Sequence, residues 1–303
     1  MSSIGARCLA TAVGLLVDRL VGEPPSVVHP VVWFGNAMQR AEAALWADRR
    51  DHGIAYAAVG VGLGAAAGRL VRSTTIVVAL TAAGRELRAT ADRIGTVAGS
   101  SDLNSARAAL PSLVGRDPSN LDASGIAAAV IESVAENSVD AVIAPAFWAI
   151  VAGAPGAAAY RAINTMDAMV GHHNDRFEHF GWAAARIDDV ANYIPARIFA
   201  VLVAAQTPSR AREILATVRR DAPAHPSPNA GVAESAVAAA IGCELGGPVH
   251  YGERLDNRPK LGTGPRPSPA DIPHAIGVAN RAELGAIGIL ALTWLIHAVR
   301  RST

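Results

Sequence analysis

The chain has 303 residues, 51% hydrophobic and only 17% charged, with a mean hydropathy of +0.26. Water-facing domains carry about 25% charged residues, so the deficit points towards a membrane. A net charge of +1 and a solitary lysine, Lys260, exclude nucleic acid as an electrostatic partner, and Cys8 and Cys243 are too far apart for a metal-type spacing or a disulfide scaffold.

Abundant alanine, three-to-four spacing of apolar residues and rare β-branched alternation predict helix almost throughout. The apolar stretches run over about 4–21, 54–68, 73–83, 141–160, 190–206 and 284–299. The first, with Arg7 ahead of "CLATAVGLLV", lacks a signal-type cleavage site and reads as a retained membrane helix or a core helix. In "DRLVGEPPSVVHPVVWFG" (18–35), Asp18 ends that helix and a Gly-Pro turn leads to His29. Residues 84–110 are amphipathic. "RDPSNLD" is a turn, with Ser119 and Asp122 placed as a capping box for the next helix.

Glu132, Glu136 and Asp140 then fall one helical turn apart, immediately before 141–160. That apolar stretch alone reaches a spanning length of about 20 residues. Residues at i and i+4 share a helix face, so the three carboxylates form a column. Like charges so close need solvent, a partner, a proton or a cation, and oxygen donors suit Mg²⁺. An exposed acidic face paired with arginines is the plainer alternative. The densest polar stretch is 160–197. It holds Arg161, Asn164, Asp167, His172, His173, Asp175, Arg176, Arg186, Asp188 and Asn192 between two apolar runs. Arginines for phosphate and carboxylates for a metal are what a phosphate-bearing ligand requires; a solvated loop of ion pairs is the alternative. Pro and Gly cluster at 22–30, 222–231 and 245–269, the last read as a long irregular loop. No Walker, dinucleotide or nucleophile-elbow motif occurs.

The stretches "DRLVGEPP…HPVVWFG", "LVGRDPSNLD", "ESVAENSVDAVIAPAFW", "YRAINTMDAMVGHHNDRFEHFGWAAARIDDVANYIPAR", "LGGPVHYGE" and "RPKLGTG" resemble the CobD/CbiB family of cobalamin biosynthesis, the adenosylcobinamide-phosphate synthases. The likeness covers nearly the full length. Pro118, Val139-Asp140-Ala141, His172–His173 and the region 229–235 depart from the family's usual residues. The resemblance implies an all-α, multi-pass protein of the cell membrane, a single domain over 1–303 with amphipathic helices and a polar loop region forming the site. It implies ATP-dependent joining of (R)-1-amino-2-propanol, or its O-phosphate, to the ring D propionate of adenosylcobyric acid. The partners are then the cobalt-bearing corrinoid, the amine, the lipid bilayer and other cobalamin-assembly enzymes, with Mg²⁺ and ATP as cofactor and co-substrate. A transporter, or a signalling membrane protein of the AmpE type, is the alternative. For the ligase, the chemistry assigns Glu132, Glu136 and Asp140 to the metal. Glu132, Glu136, Asp167, Asp175 and Asp188 become candidates for catalysis. Arg116, Arg161, Asn164, Arg176, Arg186 and Asn192 become candidates for binding phosphate or substrate.

Overall fold

The computed structural model describes residues 3–100, 102–115, 117–172, 174–251 and 254–302; the side chains of 248–257 and 301–302 fall outside that description. Helix dominates, in chain order: α1 (Ile4–Val21), α2 (Pro30–Leu45), α3 (Arg50–Val71), α4 (Thr74–Thr81), α5 (Gly84–Gly99), α6 (Leu103–Ala109), α7 (Ala123–Ser138), α8 (Ala144–Val170), α9 (Trp182–Ala205), α10 (Ala211–Asp221), α11 (Ala230–Ile241) and α12 (Ile272–Ser302). By length and composition, three helical stretches can cross a membrane: Arg50–Val71, Ala123–Val170 and Pro269–Arg300. A fourth would be Trp182–Ala205 with Pro208–Ala224, a pair bent by 114°. The all-α membrane reading therefore stands. The chain packs as two compact units. One comprises Met1–Arg85, Asp140–Asn192 and Ala286–Thr303; the other comprises Glu86–Val139 and Tyr193–Gly285.

In the first unit, α8 does not run straight. At Gly153 the backbone takes φ 67° and ψ −152°, a conformation open essentially to glycine alone. A Cβ built on Gly156 would lie 2.3 Å from the Trp148 carbonyl oxygen. The side chains of Asp140 and Asn164 hydrogen-bond at 3.0 Å, although a straight helix would hold residues so far apart in sequence roughly 36 Å from each other. The chain thus descends through Ala144, reverses at Gly153 and returns through Tyr160 as a helical hairpin. The apolar run 141–160, expected as one spanning helix, is two arms of a hairpin. Uncharged small residues allow this because two arms packed this closely leave no room for side-chain bulk.

The returning arm packs antiparallel to α3. A Cβ on Gly60, Gly64 or Gly68 would clash with Met166, Ala162 and Ala154 respectively, so small residues at four-residue intervals set the approach. Met38, Tyr56, Met166, Val170, Phe180 and Ala184 form the core at one end, with the Tyr56 and Phe180 rings 5.1 Å apart. Asp18, expected as a helix stop, is buried. Its Oδ2 accepts the N–H groups of Gly84 and Arg85 at 3.0 and 3.3 Å, satisfying orphan donors at the start of α5.

In the second unit, α11 is buried along Ala230–Ala239. Where an irregular loop was expected, Glu244–Tyr251 (β1) and Arg254–Gly262 (β2) form an antiparallel hairpin with a bulge between Leu245 and Gly247. Periodicity missed it because glycine and proline interrupt the alternation. Side chains hold it down: Glu132 accepts Gly246 N–H at 2.9 Å and Asp221 accepts Gly262 N–H at 2.8 Å. Asp122, not Ser119, caps α7, accepting from Gly125 N–H at 2.7 Å; Ser119 instead bonds Asp117 in the turn before it.

Candidate functional site

Asp140 sits in a five-residue π turn, Val139–Ile143, at the mouth of the hairpin. Such turns widen the helix and are frequent at functional sites. Its Oδ2 accepts from Asn164 Nδ2 at 3.0 Å, and Arg161 Nη1 lies 3.4 Å from Asn164 Oδ1. Tyr160 Oη is 3.4 Å from Asp140 Oδ1 and donates to Asn192 Oδ1 at 2.8 Å. Asn192 Nδ2 in turn donates to Asp188 Oδ2 at 3.0 Å. Both hairpin arms and α9 thus contribute to one polar network. Asp140 and Asp167 lie close enough to Asp188 to act on it electrostatically. Among the described residues, Asp188 Oδ1 is buried with no hydrogen-bond partner, as is Arg161 Nε. A half-sheltered site with several carboxylates and an unsatisfied oxygen favours a bound cation.

A buried histidine lies near enough to Arg161 to feel its charge. His29 is 5% exposed; its Nδ1 accepts Val31 N–H at 3.2 Å, which leaves the proton on Nε2, 3.6 Å from Glu23 Oε2. Burial, and then the nearby Arg161 guanidinium, hold its pKa below the ordinary histidine value. A base with a lowered native pKa contributes stability that is present above about pH 6.5, the unfolded value, and lost as pH falls through the native value. We therefore expect the detergent-solubilised protein to lose thermal stability on acidification from pH 7.5 to 5.5. That loss should shrink in His29→Gln, which keeps an acceptor without a titrating ring. An unchanged pH profile in the variant would remove His29 as its source.

The other expected residues make different contacts. Glu132 is 2% exposed in the second unit and is engaged by Gly246, whereas Glu136 on the same helix is exposed. The division between the two units falls between Val139 and Asp140, and the π turn breaks the 3.6-residue spacing that would align all three acids. Among the described residues no three His, Cys, Asp or Glu side chains gather as a metal site. Glu132→Ala should destabilise the protein by about 1–3 kcal/mol, the cost of a buried unmet N–H. Glu132→Gln should recover most of that in thermal unfolding. Asp175 is exposed. Arg176 pairs with Glu42 at 2.8 Å and lies 4.8 Å over the Trp46 ring. Arg186 pairs with Asp189 at 3.2 Å on the outer side of α9. Arg116 and His173 lie outside the described residues.

Sequence reasoning left Tyr160, His29 and Glu23 out of the site. The first resembles any core aromatic; the others sit in a turn whose proline content already explained it. It also passed over Glu234, 1% exposed, with His225 Nε2 at 3.8 Å and an Arg258 nitrogen at 3.9 Å in the second unit. The readable signal was a lone acid in the otherwise uncharged "AGVAESAVAAAI".

Comparison with known proteins gives a match to the family described as "CobD/Cbib protein" over residues 11–279. The chain is 50% identical over 201 residues to a cobalamin biosynthesis protein CobD of Rhodobacter capsulatus; that alignment covers 65% of this chain and 64%, less than two thirds, of the relative. It is 42% identical to the CobD of Mycobacterium tuberculosis, covering 92% of this chain and 93% of the relative. It is 39% identical to that of Chromobacterium violaceum, covering 95% and 97%. No solved structure matches.

Proposed function

Since the chain belongs to the CobD/Cbib protein family, we infer that it acts in cobalamin biosynthesis, and we propose that it is the membrane enzyme that forms the amide between adenosylcobyric acid and (R)-1-amino-2-propanol or its O-phosphate. The observation that carries the reading is the network of Asp140, Tyr160, Arg161, Asn164, Asp188 and Asn192, with Asp167 beside it, at the mouth of an apolar hairpin.

A carboxylate and an ammonium do not condense unaided in water. In the proposed reaction a ring D propionate oxygen attacks the γ-phosphorus of ATP and ADP leaves, giving an acyl phosphate. The neutral amine then attacks the acyl carbon, phosphate leaves, and the nitrogen loses a proton. Such transfer rests on positioning and charge neutralisation. Arg161 is suited to hold an anionic phosphate or carboxylate oxygen, because its Nε has no partner among the described residues. Asp167, beside Asp188, is the carboxylate proposed to take the amine's proton. The unpartnered Oδ1 of Asp188 and the adjacent Asp140 fit Mg²⁺, which commonly takes one or two carboxylates and completes its shell with phosphates and water. When bound, that ion would neutralise charge on the phosphates.

The apolar hairpin and the spanning helices support placement in the cell membrane as a multi-pass protein. The test is direct. Membranes carrying the protein are incubated with adenosylcobyric acid, each amine in turn, ATP and Mg²⁺, and the amide is sought by mass spectrometry. ATP- and Mg²⁺-dependent product supports the ligase. Corrinoid movement without consumption would identify a transporter, and inertness towards both would favour a signalling role of the AmpE kind.

A further inference from the structure

We propose that the outer face of α3 and α9 carries a binding site for an anionic phospholipid, separate from the polar network. Arg50 and Trp182 are the first residues of α3 and α9. The Arg50 guanidinium lies 4.9 Å over the Trp182 ring, so the two helices begin at one level. From there a groove of 340 Å³ runs between them, lined by Ile54, Trp182, Ala183, Arg186, Ile187 and Val190. Its walls are open to the outside, with Ile54 52% and Val190 76% exposed.

The arrangement has the order of a lipid, head to tail. Tryptophan settles at the headgroup level of a bilayer, and α3 is long and apolar enough to cross one. Ile54 follows Arg50 by one helical turn, as Arg186 follows Trp182, and Val190 follows Trp182 by two, so the apolar wall continues past both cations. Arg50 and Arg186 stand where a phosphodiester would be. Arg186 pairs with Asp189 at 3.2 Å, but its side chain is 64% exposed; an exposed pair of this kind is worth little and is readily exchanged for phosphate. An acyl chain explains the apolar groove, and net negative charge explains two arginines at its head. A zwitterionic lipid meets only the first condition and inorganic phosphate only the second. The inference does not depend on the ligase reading.

The test uses the full-length protein, purified, delipidated and placed in mixed micelles of phosphatidylglycerol and phosphatidylcholine with matched chains. Retained lipid is counted by native mass spectrometry. Phosphatidylglycerol should be preferred by about fivefold per arginine, the effect of one basic side chain at an anionic surface. The preference should vanish in Arg50→Gln/Arg186→Gln and persist in Arg50→Lys/Arg186→Lys, which keeps the charge. Millimolar inorganic phosphate should displace nothing. Equal retention of the two lipids by the unaltered protein, or an undiminished preference in the Gln variant, overturns the proposal; so does displacement by phosphate.

Discussion

Replacing Gly153 with alanine should cost about 1–3 kcal/mol of stability and most of the activity, because no L-residue holds its backbone angles without strain. Space is not the obstacle: a Cβ there meets nothing closer than 3.6 Å, the Thr74 hydroxyl oxygen. The cost is conformational, and it falls on the reversal that places Asp140 against Tyr160 and Asn164. Gly156→Ala should damage the same hairpin for a different reason, since its Cβ would sit 2.3 Å from the Trp148 carbonyl oxygen. Gly62→Ala is the control. A Cβ at Gly62, within α3, has nothing within 4 Å, and alanine is the better helix former by roughly 1 kcal/mol. Thermal unfolding in detergent should therefore rank Gly62→Ala at or above the unaltered protein and both hairpin variants well below it. A Gly153→Ala protein of normal stability would mean that the hairpin does not reverse at that residue.

Asp188→Asn should separate function from stability. The replacement has nearly the same shape, keeps an oxygen for Asn192 Nδ2 to bond, and removes an ionisable carboxyl from beside Asp140 and Asp167. Folding loses little and gains relief from like-charge repulsion, so the melting temperature should hold or rise. If Asp188 helps hold the cation that neutralises phosphate charge, amide formation should fall by at least about 100-fold, the scale seen when one electrostatic contact to a developing charge is removed. The KM for Mg²⁺ should rise with it. A variant that unfolds instead would make Asp188 a structural acid. One that keeps near-normal turnover would take it out of the reaction.

The helical class, the membrane character and the polar region that holds the candidate site were legible because they depend on composition and on local order. Scarce charge, abundant alanine and the polar density of 160–197 are properties of neighbours in the chain. The membership of the network was only partly legible. Asn164, Asp167, Asp188 and Asn192 were found because they crowd together in sequence. Tyr160 was not, because nothing local distinguishes it from a core aromatic, and His29, which feels the charge of Arg161, comes from more than a hundred residues away. The column Glu132–Glu136–Asp140 shows the limit from the other side. Its regular spacing was real, but one π turn and the division between two packed units put Glu132 on a strand amide and Asp140 in the hairpin network.

By itself, then, the sequence determined that this is a helical, charge-poor chain with carboxylates, amides and arginines at the border of apolar runs. Helix formation and bilayer compatibility are set by each residue's own side chain and its near neighbours. Which acids meet was decided by tertiary structure alone. A single glycine with a left-handed backbone turns an apparent span back on itself, and that reversal, invisible in hydropathy, brings Asp140 to Tyr160, Asn164 and Asn192.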